Sequence, residues 1–389
     1  MTHKHIGVIN AGSSSIKFAF FDVSNHLTRT LYGLIENIKT KPVFKIVKAD
    51  GSTEEISDFP QSADYHYLYQ FLFSYFAERK MNVLAVGHRV VHGGKEYTAP
   101  TKITPEIIQD LKKYNSFAPL HQPYNLQAIE IIHELLPQLT QVACFDTAFH
   151  RTHPPVADTF GLPRSYTQAG IHRYGFHGLS YEYIVHHLTE KSSPLQEKMI
   201  VAHLGNGASL CAIKEGKSID STMGFTAVDG LLMGTRCGSL DPGVILFLLD
   251  AQKMTCQEIE NLLYTRSGLL GVSGISSNMQ VLLNDHSPNA QEAIELFVYR
   301  ICREIGALMS VLKGLDRLVF TGGIGEHAAP IREKVCQEMS WAGIKIDRDK
   351  NNQHQSIMSD PQSKVEVCVI PTNEEWMIAR HTYSLVKTN

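Results

Sequence analysis

The sequence predicts an α/β protein made of two related domains, and three observations lead there. The chain has 389 residues, long for one hydrophobic core and natural for two. Strand and helix patterns alternate along its length. The same strand–turn–strand design also occurs twice, at Ile6–Asp22 and again at Met199–Ile213, as an internal duplication would produce.

In the first copy Ile16, Phe18 and Phe20 alternate with Lys17 and Ala19, the period of a strand. The tight polar turn before it is Asn10-Ala-Gly-Ser-Ser-Ser15. In the second copy Gly205-Asn206-Gly207-Ala208-Ser209 takes that place. A long amphipathic helix is expected from Ser287 as N-cap and Pro288 as its first residue. Ile294, Phe297, Val298, Ile301, Ile305, Leu308 and Leu312 form its core face. Leu318–His327 reads as a strand followed by a glycine-rich turn, with helical character from about Ala328 to Met339. Pro154-Pro155 interrupts regular structure after the Phe145–His153 turn. The domains are therefore expected at residues 1–147 plus 373–389, the last segment returning as a closing helix, and at 148–372.

Composition narrows the function. Apolar residues make up 43% and charged residues 19%, which excludes a disordered or fibrous chain. A net charge of −3 gives no pull toward nucleic acid or an anionic membrane. The seven cysteines are scattered without a CxxC pair, which argues against a disulfide framework or zinc site and for a reducing compartment. No leader pattern opens the chain, and no apolar run reaches the roughly 18 residues of a membrane span. A soluble, cytoplasmic enzyme of small molecules is the expectation.

Three small-residue turns offer backbone amides and hydroxyls suited to phosphate: 10–15 with Lys17 beyond it, 205–209, and Gly322-Gly323-Ile324-Gly325. None matches GxGxxG or GxxxxGK[ST], which sets aside dinucleotide-binding and P-loop readings. Cationic or polar side chains flanked by glycines recur at His88-Arg89-Val-Val-His92-Gly-Gly94, Gly175-Phe-His177-Gly178 and Gly234-Thr-Arg236-Cys-Gly238. His121 lies in an apolar loop beside Leu120. Phosphoryl transfer needs such a set, because its transition state calls for fixed donors and a divalent ion and little covalent chemistry. Asp146 and Glu374 are the candidate carboxylates on the metal side.

Read in order, Asn10-Ala-Gly-Ser-Ser-Ser-Ile-Lys17, His88-Arg-Val-Val-His-Gly-Gly94, Tyr174-Gly-Phe-His-Gly-Leu-Ser180, His203-Leu-Gly-Asn-Gly207, Met233-Gly-Thr-Arg236, Asp241-Pro-Gly243 and Gly322-Gly-Ile-Gly-Glu326 resemble the signature segments of the acetate kinase family of short-chain carboxylate kinases. The resemblance covers essentially the whole chain. It implies two duplicated RNase H-like domains of the actin and hexokinase type, with the active site in an interdomain cleft. It implies reversible in-line transfer of the ATP γ-phosphoryl group to acetate, with ADP and acetyl phosphate as products. Magnesium, or manganese in its place, and a homodimer are also implied. Arg89 and Arg236 would bind the carboxylate and the moving phosphoryl group, with His177 stabilising the transition state and His121 near it. Asn10 and Glu374 would sit at the metal. Lys17, Ser13, Ser15, His203, Leu204, Gly205, Asn206 and Gly207 would lie at the phosphates. Asn278, Met279, Gln280, Gly323, Ile324, Gly325, Glu326 and His327 would lie at the rest of the nucleotide. Val91, Leu120, Phe176 and Ala227 would line the acyl pocket.

The family assigns Asp146 to acid–base or metal-orienting work. A free carboxylate substrate is already ionised at neutral pH and needs no base, so metal or water positioning is expected of Asp146. Three departures bear on specificity. The family's Ser-Ser-Asp-Met-Arg stretch is Ser276-Ser-Asn-Met-Gln280 here, its Asn after the glycine turn is His327, and a common proline is Ala227. The first two loosen expected base contacts; the third widens the acyl pocket. A methylene in such a pocket is worth about 1–3 kcal/mol, so acetate is expected to be preferred, with measurable propionate activity. The alternatives are a propionate or butyrate kinase, a catalytically inactive nucleotide-binding relative, and a sugar kinase, against which the apolar Val91, Leu120 and Phe176 speak.

Overall fold

Thirteen strands form two separate mixed sheets in the computed structural model, which describes residues 4–191 and 197–387. Residues 1–3, where the leader reading begins, lie outside the described residues. The first sheet takes β1 (Lys4–Ala11), β2 (Ser15–Asp22), β3 (Thr28–Glu36), β4 (Val43–Lys48), β5 (Thr53–Ile56), β6 (Asn82–Val90), β7 (Thr101–Lys102) and β8 (Thr140–Phe145) in the order β5-β4-β3-β2-β1-β6-β8-β7. The second takes β9 (Lys198–Leu204), β10 (Ala208–Lys214), β11 (Lys217–Ser221), β12 (Arg317–Thr321) and β13 (Glu366–Val369) in the order β11-β10-β9-β12-β13.

The duplication is visible in the pairing. In the first sheet β3, β2 and β1 run antiparallel, and β6 and β8 add on in parallel to β1. In the second, β11, β10 and β9 run antiparallel, and β12 and β13 add on in parallel to β9. Five strands thus repeat in one order and one set of directions, the duplicated RNase H-like architecture expected above. The chain divides into a first unit, Met1–Ala148 with Asn373–Asn389, and a second, Phe149–Thr372.

In the first unit Ile16, Phe18 and Phe20 turn to one face of the sheet, where helix Tyr65–Glu78 covers them with Leu68, Tyr69, Leu72 and Phe76. Helix Glu374–Lys387 buries Met377, Ile378, Ala379 and Thr382 and packs on β1 and β6. In the second unit helix Gly178–Lys191 sets Tyr181, Ile184 and Leu188 against Met199, Val201 and Cys211. The long helix runs over Pro288–Leu312, with the Ser287 side chain accepting from the Ala290 N–H. All seven residues expected on its apolar face are buried.

One expectation is corrected. Residues 322–325 form the first turn of a helix, Gly322–His327, and not an open turn. The Glu326 carboxylate closes it by accepting from the N–H of Gly322 at 2.9 Å and of Thr372 at 3.1 Å. A carboxylate at a helix N-terminus satisfies amides that the helix itself leaves unpaired. The following helix, Ala329–Glu338, agrees with the sequence reading.

Candidate active site

Open α/β sheets bind ligands outside the carboxyl ends of their parallel strands, and in both units the predicted residues gather there. In the first unit Arg89 is the penultimate residue of β6, and Asp146 immediately follows β8. The parallel register sets Val90 beside Phe145, which brings the two side chains together. Arg89 Nε lies 3.0 and 3.1 Å from the two Asp146 oxygens, and Nη2 lies 2.6 Å from Oδ2. Glu374, the first residue of the closing helix, places Oε2 4.0 Å from Arg89 Nε.

Burial alone would lower the Arg89 pKa, but the Asp146 and Glu374 carboxylates outweigh it and hold the guanidinium above its ordinary value. Burial pushes the Glu374 carboxyl up to about 7; Arg89 opposes the rise, and Asp146 and Glu375 reinforce it. Two carboxylates, Asp146 and Glu375, and two cations, Arg89 and Lys17, act on Glu374.

The turn ahead of Lys17 is held by side chains from elsewhere. Gly12 N–H donates to Ser15 O at 2.8 Å, Tyr65 OH to Gly12 O at 2.9 Å, and Asn125 Nδ2 to Ala11 O at 2.8 Å. Asn10 pairs with Lys17 across the hairpin. Ser13 and Ser15 are half-buried and Lys17 is exposed. Val91 is buried and its N–H donates to Asn125 Oδ1. The His92 backbone N–H donates to Gln122 Oε1, and Gln122 Nε2 returns a bond to His92 O. Leu120 and His121 are half-buried at the start of helix Gln122–Leu135.

In the second unit His177 has φ +58°, a left-handed conformation uncommon outside glycine. Its Nδ1 lies 2.8 Å from Ser209 Oγ, which also hydrogen-bonds Tyr181 OH. Its ring stacks on His203 at 4.3 Å, and His203 Nδ1 lies 2.8 Å from Ser180 Oγ. Arg236 Nη1 donates to Ala227 O at 2.9 Å, so the backbone of that departure position orients the guanidinium. A Cβ added to Gly207 would stand 3.2 Å from His177 Nε2 and 3.7 Å from Arg236 Nη1. Two donors therefore converge above the Gly205–Gly207 turn, and the missing side chain leaves them access to it. Phe176 is buried.

Beside this turn a cavity of about 470 Å³ is lined by Gly205, Asn206, Ser277, Asn278, Met279, Gln280, Leu283, Gly323, Ile324, His327, Ala328 and Pro330. Ser277, Leu283, Ala328 and Pro330 were not singled out from sequence. Leu204, Gly325 and Glu326 stand differently from expectation, and Asn278 has a second role beside lining the cavity. The Leu204 side chain is fully buried, because alternation along β9 turns it opposite to His203. Gly325 is buried against β9 and β12. Glu326 spends its carboxylate on backbone amides, as described above. Asn278 caps helix Met279–Asn284 through the Gln280 N–H at 2.8 Å.

The doubled five-strand order, with polar turns at the carboxyl ends of both sheets, defines the class: a duplicated RNase H-like protein of the actin and hexokinase type. Within that class the chain belongs to the acetokinase family, which matches residues 5–380. It is 51% identical to an acetate kinase of Rhodopseudomonas palustris, with 97% of each chain covered. It is 46% identical to one of Rickettsia felis, over 96% of this chain and 97% of the relative. Among solved structures it is similar to a propionate kinase from Francisella tularensis, with TM-score 0.93, 36% identity and 98% and 99% of the two chains covered. It is also similar to Porphyromonas gingivalis acetate kinase, with TM-score 0.88, 36% identity and 98% and 100% covered.

Proposed function

We propose that this protein acts as an acetate kinase, transferring the γ-phosphoryl group of ATP to acetate and running the reverse reaction from acetyl phosphate and ADP. Family membership over nearly the whole chain carries the reading. The residues supply a chemistry for it. Acetate attacks phosphorus as the carboxylate it already is at neutral pH, so the protein's work is orientation and charge compensation. Arg89, held as a fork by Asp146, is assigned to the acyl carboxylate and the moving phosphoryl group. Arg236 and His177 are assigned to the equatorial oxygens, where transition-state charge spreads. Val91, Leu120 and Phe176 are assigned to the methyl group. The cavity beside Gly205 is assigned to the nucleoside, with the 10–17 and 203–207 turns at its phosphates.

Among the described residues no cluster of three or more His, Cys, Asp or Glu side chains could hold a metal ion. Magnesium asks for less: one or two carboxylates, with water and phosphate oxygens completing the shell. Glu374 and Asn10 fit that demand, as one carboxylate with the Asp146 and Glu375 carboxylates near it and one amide oxygen. Such an ion would neutralise charge on the phosphates. A reducing, cytoplasmic setting is supported by the seven free cysteines, and no helix among the described residues is long and apolar enough to cross a membrane. A homodimer is supported by helix Pro242–Asp250, which buries none of its residues and exposes Val244, Leu246, Phe247 and Leu249.

The test is the initial rate of acyl phosphate formation, trapped with hydroxylamine, from ATP, magnesium and acetate, propionate or butyrate in parallel. The highest kcat/KM is expected on acetate, with measurable propionate turnover. The likeness to a propionate kinase and the small Ala227 favour propionate as the second reading, and a peak there would install it. Absence of turnover on all three acids would refute both.

A further inference from the structure

A buried polar chain in the second unit leads to the backbone that presents His177. Arg151 Nη1 donates to Asp158 Oδ2 at 3.3 Å, and Asp158 Oδ1 lies 2.9 Å from His153 Nδ1. His153 Nε2 lies 2.7 Å from Ser218 Oγ, and Ser218 Oγ lies 2.8 Å from His150 Nδ1. His150 Nε2 lies 2.9 Å from the carbonyl oxygen of Phe176. Ser218 and His150 are fully buried, and the His153 side chain is 2% exposed. Solvent therefore cannot complete these bonds, and a buried polar contact without its proton is costly.

Proton counting decides the state of the chain. The four contacts from Asp158 to Phe176 O need four protons, whereas two neutral imidazoles and one hydroxyl hold three. A carbonyl oxygen only accepts, so His150 Nε2 must carry hydrogen. If His150 is neutral, its Nδ1 accepts from Ser218. Ser218 Oγ then accepts from His153 Nε2, and from Cys211 Sγ at 3.1 Å. His153 is left donating from both nitrogens, with its charge against Asp158. A second distribution places the charge on His150, which is fully buried with no carboxylate beside it; burial, and then His153, push its pKa well below the ordinary value. A third places the fourth proton on Asp158 and leaves both imidazoles neutral; the Arg151 guanidinium 3.3 Å from Asp158 Oδ2 stands against it by favouring the carboxylate.

The end of the chain lies where it can act. Phe176 stands between Gly175 at φ +76° and His177 at φ +58°. A Cβ on Gly175 would meet the His150 ring at 2.5 Å, so this segment wraps around the imidazole. Left-handed backbone at a non-glycine residue persists only where its surroundings hold it.

We propose that Asp158, His153, Ser218 and His150 form a charged positioning relay, with an imidazolium at His153 and a neutral Nε2–H tautomer at His150, that fixes the Phe176 carbonyl and so aims His177. The relay touches no reactant. Its role rests on the assignment of His177 above, but its proton count does not.

The test has two arms. In the first, histidine-selective ¹⁵N NMR of the wild-type protein, assigned with His150→Gln and His153→Gln, reads the ring protons directly. One doubly protonated ring at His153 and one Nε2–H tautomer at His150 are expected. A neutral His153 or a doubly protonated His150 overturns the assignment. In the second, His150→Leu fills the site but donates nothing, whereas the amide of His150→Gln still reaches a carbonyl. Loss of about 10- to 100-fold in kcat per folded enzyme is expected for Leu, because small misplacements of a reacting geometry cost that much. KM for acetate and ATP should stay within about twofold, with most of kcat recovered in Gln. Unchanged kcat per folded molecule in His150→Leu, or equal loss in both variants, overturns the positioning role. A wild-type protein without kinase activity would refute the proposed function, while the NMR arm would still decide the relay.

Discussion

The two units share a five-strand frame and put opposite kinds of chemistry at its carboxyl ends. In the first, Arg89, Asp146 and Glu374 form a charged cluster in which the pKa values of Arg89 and Glu374 are both raised. In the second, His177, Ser209, Tyr181 and His203 form a chain of hydroxyls and rings, with Arg236 tied to a backbone carbonyl. A charged cluster in a low dielectric binds strongly and is costly to disturb. A set of oriented donors acts where charge develops in a transition state, and its effect depends on placement. Duplication thus preserved the frame while the loops of each copy took a different chemistry, ion pairs in one and oriented donors in the other.

Arg89 is the position where the first cluster is most vulnerable. Arg89→Ala removes the shared partner of two carboxylates, and kcat/KM for acetate is expected to fall about 10³-fold or more, as for other arginines that meet a transferring phosphoryl group. Urea unfolding should show lost stability as well, since breaking a buried pair leaves uncompensated charge. A loss under tenfold would remove Arg89 from the phosphoryl path.

Asp146→Asn sharpens the same cluster. An amide cannot accept the two-pronged guanidinium bond with both atoms. If orienting Arg89 is the duty of Asp146, kcat falls about 10²-fold at saturating magnesium while the magnesium midpoint stays in place. A midpoint shift that recovers kcat at high magnesium would instead establish the metal-positioning role expected from sequence.

Gly207→Ala probes the second cluster with one methyl group. The new carbon would stand 3.2 Å from His177 Nε2, where an oxygen of the moving group is assigned. A loss of about tenfold in kcat is expected, with the thermal midpoint nearly unchanged. Wild-type kcat in this variant would show that the two donors do not meet a reactant above the turn.

What sequence made legible follows from range. The start and the core face of the helix over Pro288–Leu312 are readable, because cap, first-turn proline and apolar period are all local. The two hairpins were readable for the same reason, and their repetition carried the duplication. The Arg89–Asp146 pair was not, because it exists only through the parallel register of β6 and β8. The helical state of Gly322–His327 depends in part on Glu326 also meeting Thr372, a neighbour distant in sequence. Leu204 shows a different failure. It belongs to the contiguous 203–207 stretch, but a strand sends successive side chains to opposite faces, and Leu204 faces the core. The Ser218 relay carries no sequence signal at all; its serine and two histidines read singly as ordinary polar residues.

The smallest expected effect concerns stability and lies below the first cluster, one residue before Arg89. His88 is buried and its Nε2 meets Gln141 Oε1 at 2.8 Å. Burial lowers its pKa from 6.5 to about 4, partly offset by Gln141. The sign follows from which state takes the proton. Between pH 6.5 and about 4 the unfolded chain binds a proton that the folded chain refuses, so stability is held above that window and drains as pH falls through it. At 1.36 kcal/mol per unit, the contribution lost by pH 5 is about 2 kcal/mol. His88→Gln keeps a donor toward Gln141 and removes the titration. Urea unfolding of both proteins at pH 7 and pH 5 isolates the term, because the other acid-sensitive groups are common to the pair and cancel. The wild type is expected to lose about 2 kcal/mol more than the variant over that interval. Equal losses would mean that His88 accepts its proton inside the fold, and that the sheet beneath Arg89 opens to water more readily than its packing implies.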